Sequence, residues 1–194
     1  MPADWLPREW NYVARLVVVS AAIAWAWRRW LPMRFSLASI GAGVVAGLIG
    51  CAAWVALLNP FVEGGEPWSV TGWWLRFAAA VLLVPLFEEQ LMRGFVLRFG
   101  TQWQETKNFD ATLDEKSIYD VPAGAMNMAG VALSTALFTL GHGMVEWPAS
   151  VVYGLLMCAL YRWRKDMTSV VVAHAVTNAA LAIYVVQAGA WQLW

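Results

Sequence analysis

Two adjacent carboxylates and an arginine, in the order Glu88-Glu89-x-x-x-Arg93, stand about halfway along an apolar stretch that reads as one helix. An ionisable group near the centre of a bilayer costs roughly 2.5–3.5 kcal/mol on insertion scales, so a chain that keeps three of them there gains something from each. Helical spacing separates their roles. Glu89 and Arg93 are four residues apart, share a face and can form an ion pair. Glu88 is turned about 100° away from Glu89 and stays outside that pair, as a general base must. The alternative use of the same trio is a structural ion pair that braces a bundle. Pro85 leaves the Val81 carbonyl without its helical donor and predicts a kink just before the carboxylates.

The two histidines of the chain both lie in apolar stretches. His142 stands in Phe-Thr-Leu-Gly-His-Gly, with Phe138 one turn earlier on the same helix face. His174 stands in Ala-His-Ala-Val-Thr-Asn, with Asn178 one turn later. A single buried histidine is more often a satisfied core residue than a catalyst. Two of them, an asparagine and a Glu-Glu-Arg set in one small chain point to a shared polar site. Glu88, His142 and His174 are also legitimate zinc ligands, although the chain has no His-Glu-x-x-His motif.

The elements that must position these groups are membrane helices. Of the 194 residues, 60% are hydrophobic and 13% charged, against about half and a quarter in a soluble domain. The net charge is zero, which argues against nucleic-acid binding. The 14 tryptophans suit the membrane–water interface, where the ring is buried and its N–H stays wet. A span needs about 20 mostly apolar residues, and six stretches qualify: Asn11–Trp30, Ser36–Leu58, Gly72–Gly100, Pro122–Gly143, Trp147–Tyr161 and Thr168–Ala188. The fold class expected is therefore an all-α, polytopic transmembrane helical bundle, a single integral membrane domain over residues 1–194 within the lipid bilayer. The second span is rich in Gly and Ala, which favours close helix packing. No cleavable signal peptide is evident.

Lys and Arg fall between spans one and two, after span three, and between spans five and six. By the positive-inside bias these connections face the cytoplasm. The polar stretch Gln102–Asp120 reads as a solvated cytoplasmic loop, with a substrate gate as the alternative. Cys51 and Cys158 read as small core or lipid-facing residues. Asn127, Ser134, Thr135 and Thr177 read as bonding to neighbouring helices or to their own backbone, Glu146 as a solvated loop residue, and Arg76 as snorkelling. His142 falls toward the opposite end of its span from the depth of Glu88. For the two to meet, the helix must break at Gly141 and Gly143 or the boundary must shift by about a turn.

Glu88-Glu89-x-x-x-Arg93, Phe138-x-x-x-His142 and His174-x-x-x-Asn178 occur in the order of the three motifs of the CPBP family, which includes the type II CAAX prenyl proteases and is also called the ABI family. The resemblance runs from about Trp74 to the C-terminus, with a catalytic core at about 74–188. Val-Pro-Leu-Phe-Glu-Glu, Ala-His-Ala-Val-Thr-Asn-Ala-Ala-Leu-Ala-Ile-Tyr and the ending Gly-Ala-Trp-Gln-Leu-Trp also resemble the CAAX protease-related proteins of bacterial exosortase (PEP-CTERM) systems. Two features depart from the family pattern. Met92 stands where an aromatic residue usually precedes the arginine, and the insertion at 102–120 is long. Both bear on substrate preference rather than on chemistry.

The resemblance implies an intramembrane endopeptidase of the glutamate type, in a bacterial inner membrane, acting on a membrane-associated polypeptide, with exosortase-type sorting proteins as partners. Glu88 would activate a water, His142 would hold or help to activate it, and His174 and Asn178 would stabilise the oxyanion. Glu89, Arg93 and Phe138 would support the site. No cofactor is implied; a zinc enzyme using Glu88, His142 and His174 is the competing chemistry. Two further readings use the same residues without proteolysis: a membrane scaffold or immunity-type protein, and a small transporter.

Overall fold

The computed structural model describes residues 8–26, 31–107 and 118–194. Its regular structure, among the described residues, is helical with no strand. The helices are α1 (Arg8–Ala26), α2 (Leu37–Leu58), α3 (Val70–Thr106), α4 (Met128–Leu140), α5 (Trp147–Arg164) and α6 (Met167–Ala188). α2, α3, α5 and α6 are long and apolar enough to cross a membrane; α1 and α4 are apolar but shorter over their described lengths. The expected polytopic helical bundle is the fold that forms.

α2 lies along α6 with almost no space between the backbones. A Cβ at Gly43 would stand 2.7 Å from the Ser169 carbonyl oxygen, and one at Gly47 2.5 Å from that of Ala173. This is the close packing that small residues permit between membrane helices. Asp166 ties the N-terminal ends of these two helices together. It caps α6 by accepting from the Ser169 N–H at 2.8 Å, and it accepts from the Ser39 hydroxyl at 2.9 Å. Cys51 and Cys158 are free thiols buried in the same core.

α3 differs from the simple span expected. It is continuous over 37 residues, so at about 1.5 Å per residue it is roughly 55 Å long and outreaches the bilayer core. The helix takes in Gln102–Thr106, the start of the stretch read as a loop, and ends at Lys107 in the left-handed region. Residues 108–117 of that stretch, and Trp27 to Trp30 at the end of the first expected span, lie outside the described residues. Two π-helical segments, Ala79–Leu83 and Gln90–Val96, bracket an α-helical stretch, Val84–Glu89, that carries both glutamates. The irregularity predicted from Pro85 is a π segment leading into the proline. The second π segment is pinned from outside: the Gln90 side chain accepts from the Leu31 N–H at 3.1 Å and donates to the Leu31 carbonyl at 2.9 Å.

α4 is also shorter than the span expected over Pro122–Gly143. Asn127 caps its start, accepting from the Gly130 N–H at 3.1 Å and donating to the Thr101 carbonyl at 2.9 Å. The helix stops at Leu140, and Gly141, His142 and Gly143 form a turn into a short 3-10 segment, Met144–Glu146. The helix thus ends three residues short of the expected Gly143, with His142 in the turn beyond it.

Candidate active site

α3 supplies the charged centre. Glu89 and Arg93 are fully buried, with Arg93 Nη1 3.2 Å from Glu89 Oε1 and 3.1 Å from Oε2. The i, i+4 pair read from spacing is present, and it is larger than the spacing could reveal. Arg93 Nη2 donates to the Gly154 carbonyl of α5 at 3.0 Å, and the guanidinium lies 5.5 Å from the centre of the Phe138 ring on α4. On the other side, His174 Nδ1 of α6 stands 2.9 Å from Glu89 Oε1. The Glu89–Arg93 pair thus joins α3 to α6 through the carboxylate and to α5 through the guanidinium.

These contacts set the histidine tautomers. A carboxylate oxygen beside an arginine accepts, so His174 Nδ1 carries the proton. His142 Nδ1 lies 2.8 Å from the Phe138 carbonyl, which can only accept, so this Nδ1 is protonated as well. The Phe138 carbonyl lies in the last turn of α4, where it also accepts from the Gly141 N–H at 3.2 Å; the His142 ring adds a second bond to it. In the neutral form of each ring Nε2 is the acceptor, with Nδ1 held by a second group that fixes the ring.

Glu88, His142, His174 and Asn178 all line one cavity of about 330 Å³, together with Phe138. Glu89 and Arg93 are not on its wall; they lie behind it. Glu88 is half-buried and makes no hydrogen bond or ion pair among the described residues. Asn178 Nδ2 donates to the Ala80 carbonyl of α3 at 2.7 Å, which leaves one N–H and Oδ1 of the amide for the cavity. The seven residues singled out in the sequence therefore form two layers, five at the cavity and an ion pair beneath.

Residues 70–180 match the family model described as type II CAAX prenyl endopeptidase Rce1-like. The chain belongs to this Rce1-like family. No curated protein and no solved structure matches it. Membership and the apolar helices make the chain an integral membrane protein of the CAAX-type protease family. The Rce1-like segment holds every residue from Glu88 to Asn178, yet it does not enclose the cavity alone. Tyr12, Leu16 and Val19 of α1, Trp54 of α2, and Leu193 and Trp194 also line it.

Several wall residues were not singled out beforehand. Tyr153 is buried, and its ring centre lies 5.7 Å from that of His174, 5.8 Å from Phe138 and 6.1 Å from Trp54. Its hydroxyl donates to Thr177 at 3.2 Å, and Thr177 donates on to the Gly47 carbonyl at 2.8 Å. Trp54 lies 5.4 Å from His142. The two histidines are thus held among Trp54, Phe138 and Tyr153, which exclude water from all but their exposed edges. Glu146, expected as a solvated loop residue, lines the cavity and accepts from the Gly143 N–H at 2.7 Å, closing the turn that carries His142. Arg76, expected to snorkel, packs against the Trp68 and Trp194 rings at 4.9 and 4.8 Å.

A metal ion fits this arrangement poorly. Among the described residues no three His, Cys, Asp or Glu side chains are gathered as a metal requires. The zinc set of Glu88, His142 and His174 shares a cavity without forming a ligand cluster.

Proposed function

We propose that this protein is an intramembrane endopeptidase of the glutamate type that hydrolyses a membrane-associated polypeptide near its C-terminus. The observation that carries this reading is the convergence of Glu88, His142, His174 and Asn178 on one cavity, with Glu89 and Arg93 locked behind them. Glu88, the carboxylate without a partner, takes a proton from a water. His142 Nε2 accepts the second hydrogen bond of that water and aims it. The water oxygen attacks the peptide carbonyl, and negative charge develops on the carbonyl oxygen. The remaining Asn178 N–H donates to that oxygen. His174 does so when Nε2 carries a proton, its positive charge then facing the Glu89 carboxylate. Donors fixed before the reaction, in a site shielded from bulk water, are the arrangement that lowers such a barrier most. The proton held by Glu88 passes to the departing amine, which completes the hydrolysis.

The resemblance to exosortase-associated proteins supports a substrate drawn from a protein-sorting system of the bacterial inner membrane. Family membership supports a CAAX-type C-terminal sequence. The test uses the full chain in proteoliposomes with an internally quenched, farnesylated CAAX peptide and its unprenylated counterpart. Cleavage by the wild type, abolished in Glu88→Gln at equal protein level, is the expected result. For natural substrates, new protein termini are mapped by mass spectrometry in membranes of cells expressing either form. Identical termini in the two, with Glu88→Gln still complementing a deletion, would overturn proteolysis and leave a scaffold role.

A further inference from the structure

Asn178 is held by the Ala80 carbonyl, five residues ahead of Pro85 on α3. In the π segment Ala79–Leu83 the register is five residues, so the Val84 N–H bonds to the Ala79 carbonyl and not to that of Ala80, its α-helical partner. The next bond in that series would run from residue 85 to the Ala80 carbonyl. Residue 85 is proline and has no N–H. A buried carbonyl without a donor is costly, and here the donor is the side chain of another helix: Asn178 Nδ2, at 2.7 Å. Since a carbonyl only accepts, this bond also decides which way the amide faces.

We propose that Pro85 is a positioning residue for the active site, acting through the Ala80 carbonyl on the Asn178 amide. This rests on the proteolytic reading for its effect on rate, but not for its effect on Asn178. α6 is then aimed at the cavity by two bonds to α3, His174 to Glu89 and Asn178 to Ala80, made on either side of the glutamate that faces the cavity. The π segment is part of the site: it moves the unfilled carbonyl to where Asn178 can reach it. A π segment inside a helix at a functional site is a recurrent arrangement.

Pro85→Ala restores an N–H that competes for the Ala80 carbonyl. Pro85→Val does the same while keeping more of the side-chain volume at this fully buried position. The full chain is labelled with 15N-asparagine in nanodiscs, and the Asn178 side-chain signal is assigned by its loss in Asn178→Ala. Both proline variants are expected to shift that signal and to speed its hydrogen exchange, with thermal stability equal to or above the wild type. On the quenched farnesylated CAAX peptide, kcat is expected to fall ~10- to 100-fold with KM nearly unchanged, as for a misplaced catalytic group. An unmoved Asn178 signal in both variants overturns the proposal. So does a moved signal with kcat unchanged, which would make the contact purely structural. If the wild type cleaves no peptide, it is the proteolytic reading that fails, and the Asn178 signal still decides whether Pro85 holds the amide.

Discussion

His174 and Glu89 are 85 residues apart in the chain and 2.9 Å apart in the fold. Glu89 faces a histidine on one side and Arg93 on the other, so it both balances a buried cation and fixes a ring. Glu89→Gln keeps the shape and can still accept from Nδ1, but it leaves the Arg93 charge buried without a counter-charge. Removing one member of such a pair costs about 3–5 kcal/mol. A large drop in thermal unfolding temperature in detergent is expected, together with loss of activity. Glu88→Gln, at a glutamate with no ion pair among the described residues, is expected to lose activity with stability changed by less than about 0.5 kcal/mol. Equal melting temperatures for the two variants would show that the Arg93 charge is balanced elsewhere.

Arg93→Lys tests geometry against charge. The guanidinium reaches Glu89, the Gly154 carbonyl and the Phe138 face at once, and a lysine cannot present that fork. Keeping the charge but losing the Gly154 bond is expected to cost about 1–3 kcal/mol, the price of an unsatisfied buried acceptor. Chemical denaturation of the two forms in mixed micelles reads this out. A lysine variant as stable as the wild type would reduce Arg93 to a counter-charge.

Gly50 seats the aromatic wall. A Cβ there would stand 2.6 Å from Tyr153 Cε2 and 2.9 Å from Thr177 Oγ1. Gly50→Ala therefore displaces the ring that backs His174, and overpacking of this kind costs about 1–3 kcal/mol. Both stability and kcat are expected to fall. Gly41, on the same helix with open space around it, is the control: Gly41→Ala is expected to be neutral or to stabilise by about 0.5–1 kcal/mol. If the two substitutions behave alike, the Tyr153 contact is not what Gly50 provides.

The sequence made the local part of this site readable. Glu89 and Arg93 pair because helical spacing puts them together, and Gly43 and Gly47 meet α6 because nothing larger fits. Contacts between distant segments were not readable. Nothing in the spacing of Glu89 and His174 says which of the two glutamates the histidine will meet. Tyr153 and Trp54 stand in apolar runs where aromatic residues are ordinary, so composition does not separate a wall of the site from a lipid-facing ring. The helical extension of α3 through Gln102–Thr106 was hidden by polarity: hydropathy marks where a helix leaves the membrane, whereas backbone hydrogen bonding decides where it ends. Gly141 and Gly143 did mark the turn in which His142 stands, and a turn beside a cavity is where non-helical backbone is tolerated at membrane depth.

Glu146 offers a final discrimination, because it can act on the site in two ways. Its carboxylate closes the His142 turn by accepting from the Gly143 N–H, and the Trp147 indole N–H donates to the His142 carbonyl at 3.2 Å from the same side. It also adds negative charge to the cavity wall. If the turn bond matters, Glu146→Gln, whose amide oxygen still accepts, retains near-wild-type kcat, while Glu146→Ala loses ~10-fold as His142 drifts from the water it aims. If the charge matters, Gln and Ala are equally damaging. Steady-state cleavage of the quenched peptide by the two variants separates the cases, and the Glu146 bond to the Gly143 N–H, in the turn of the proposed catalytic His142, predicts the first.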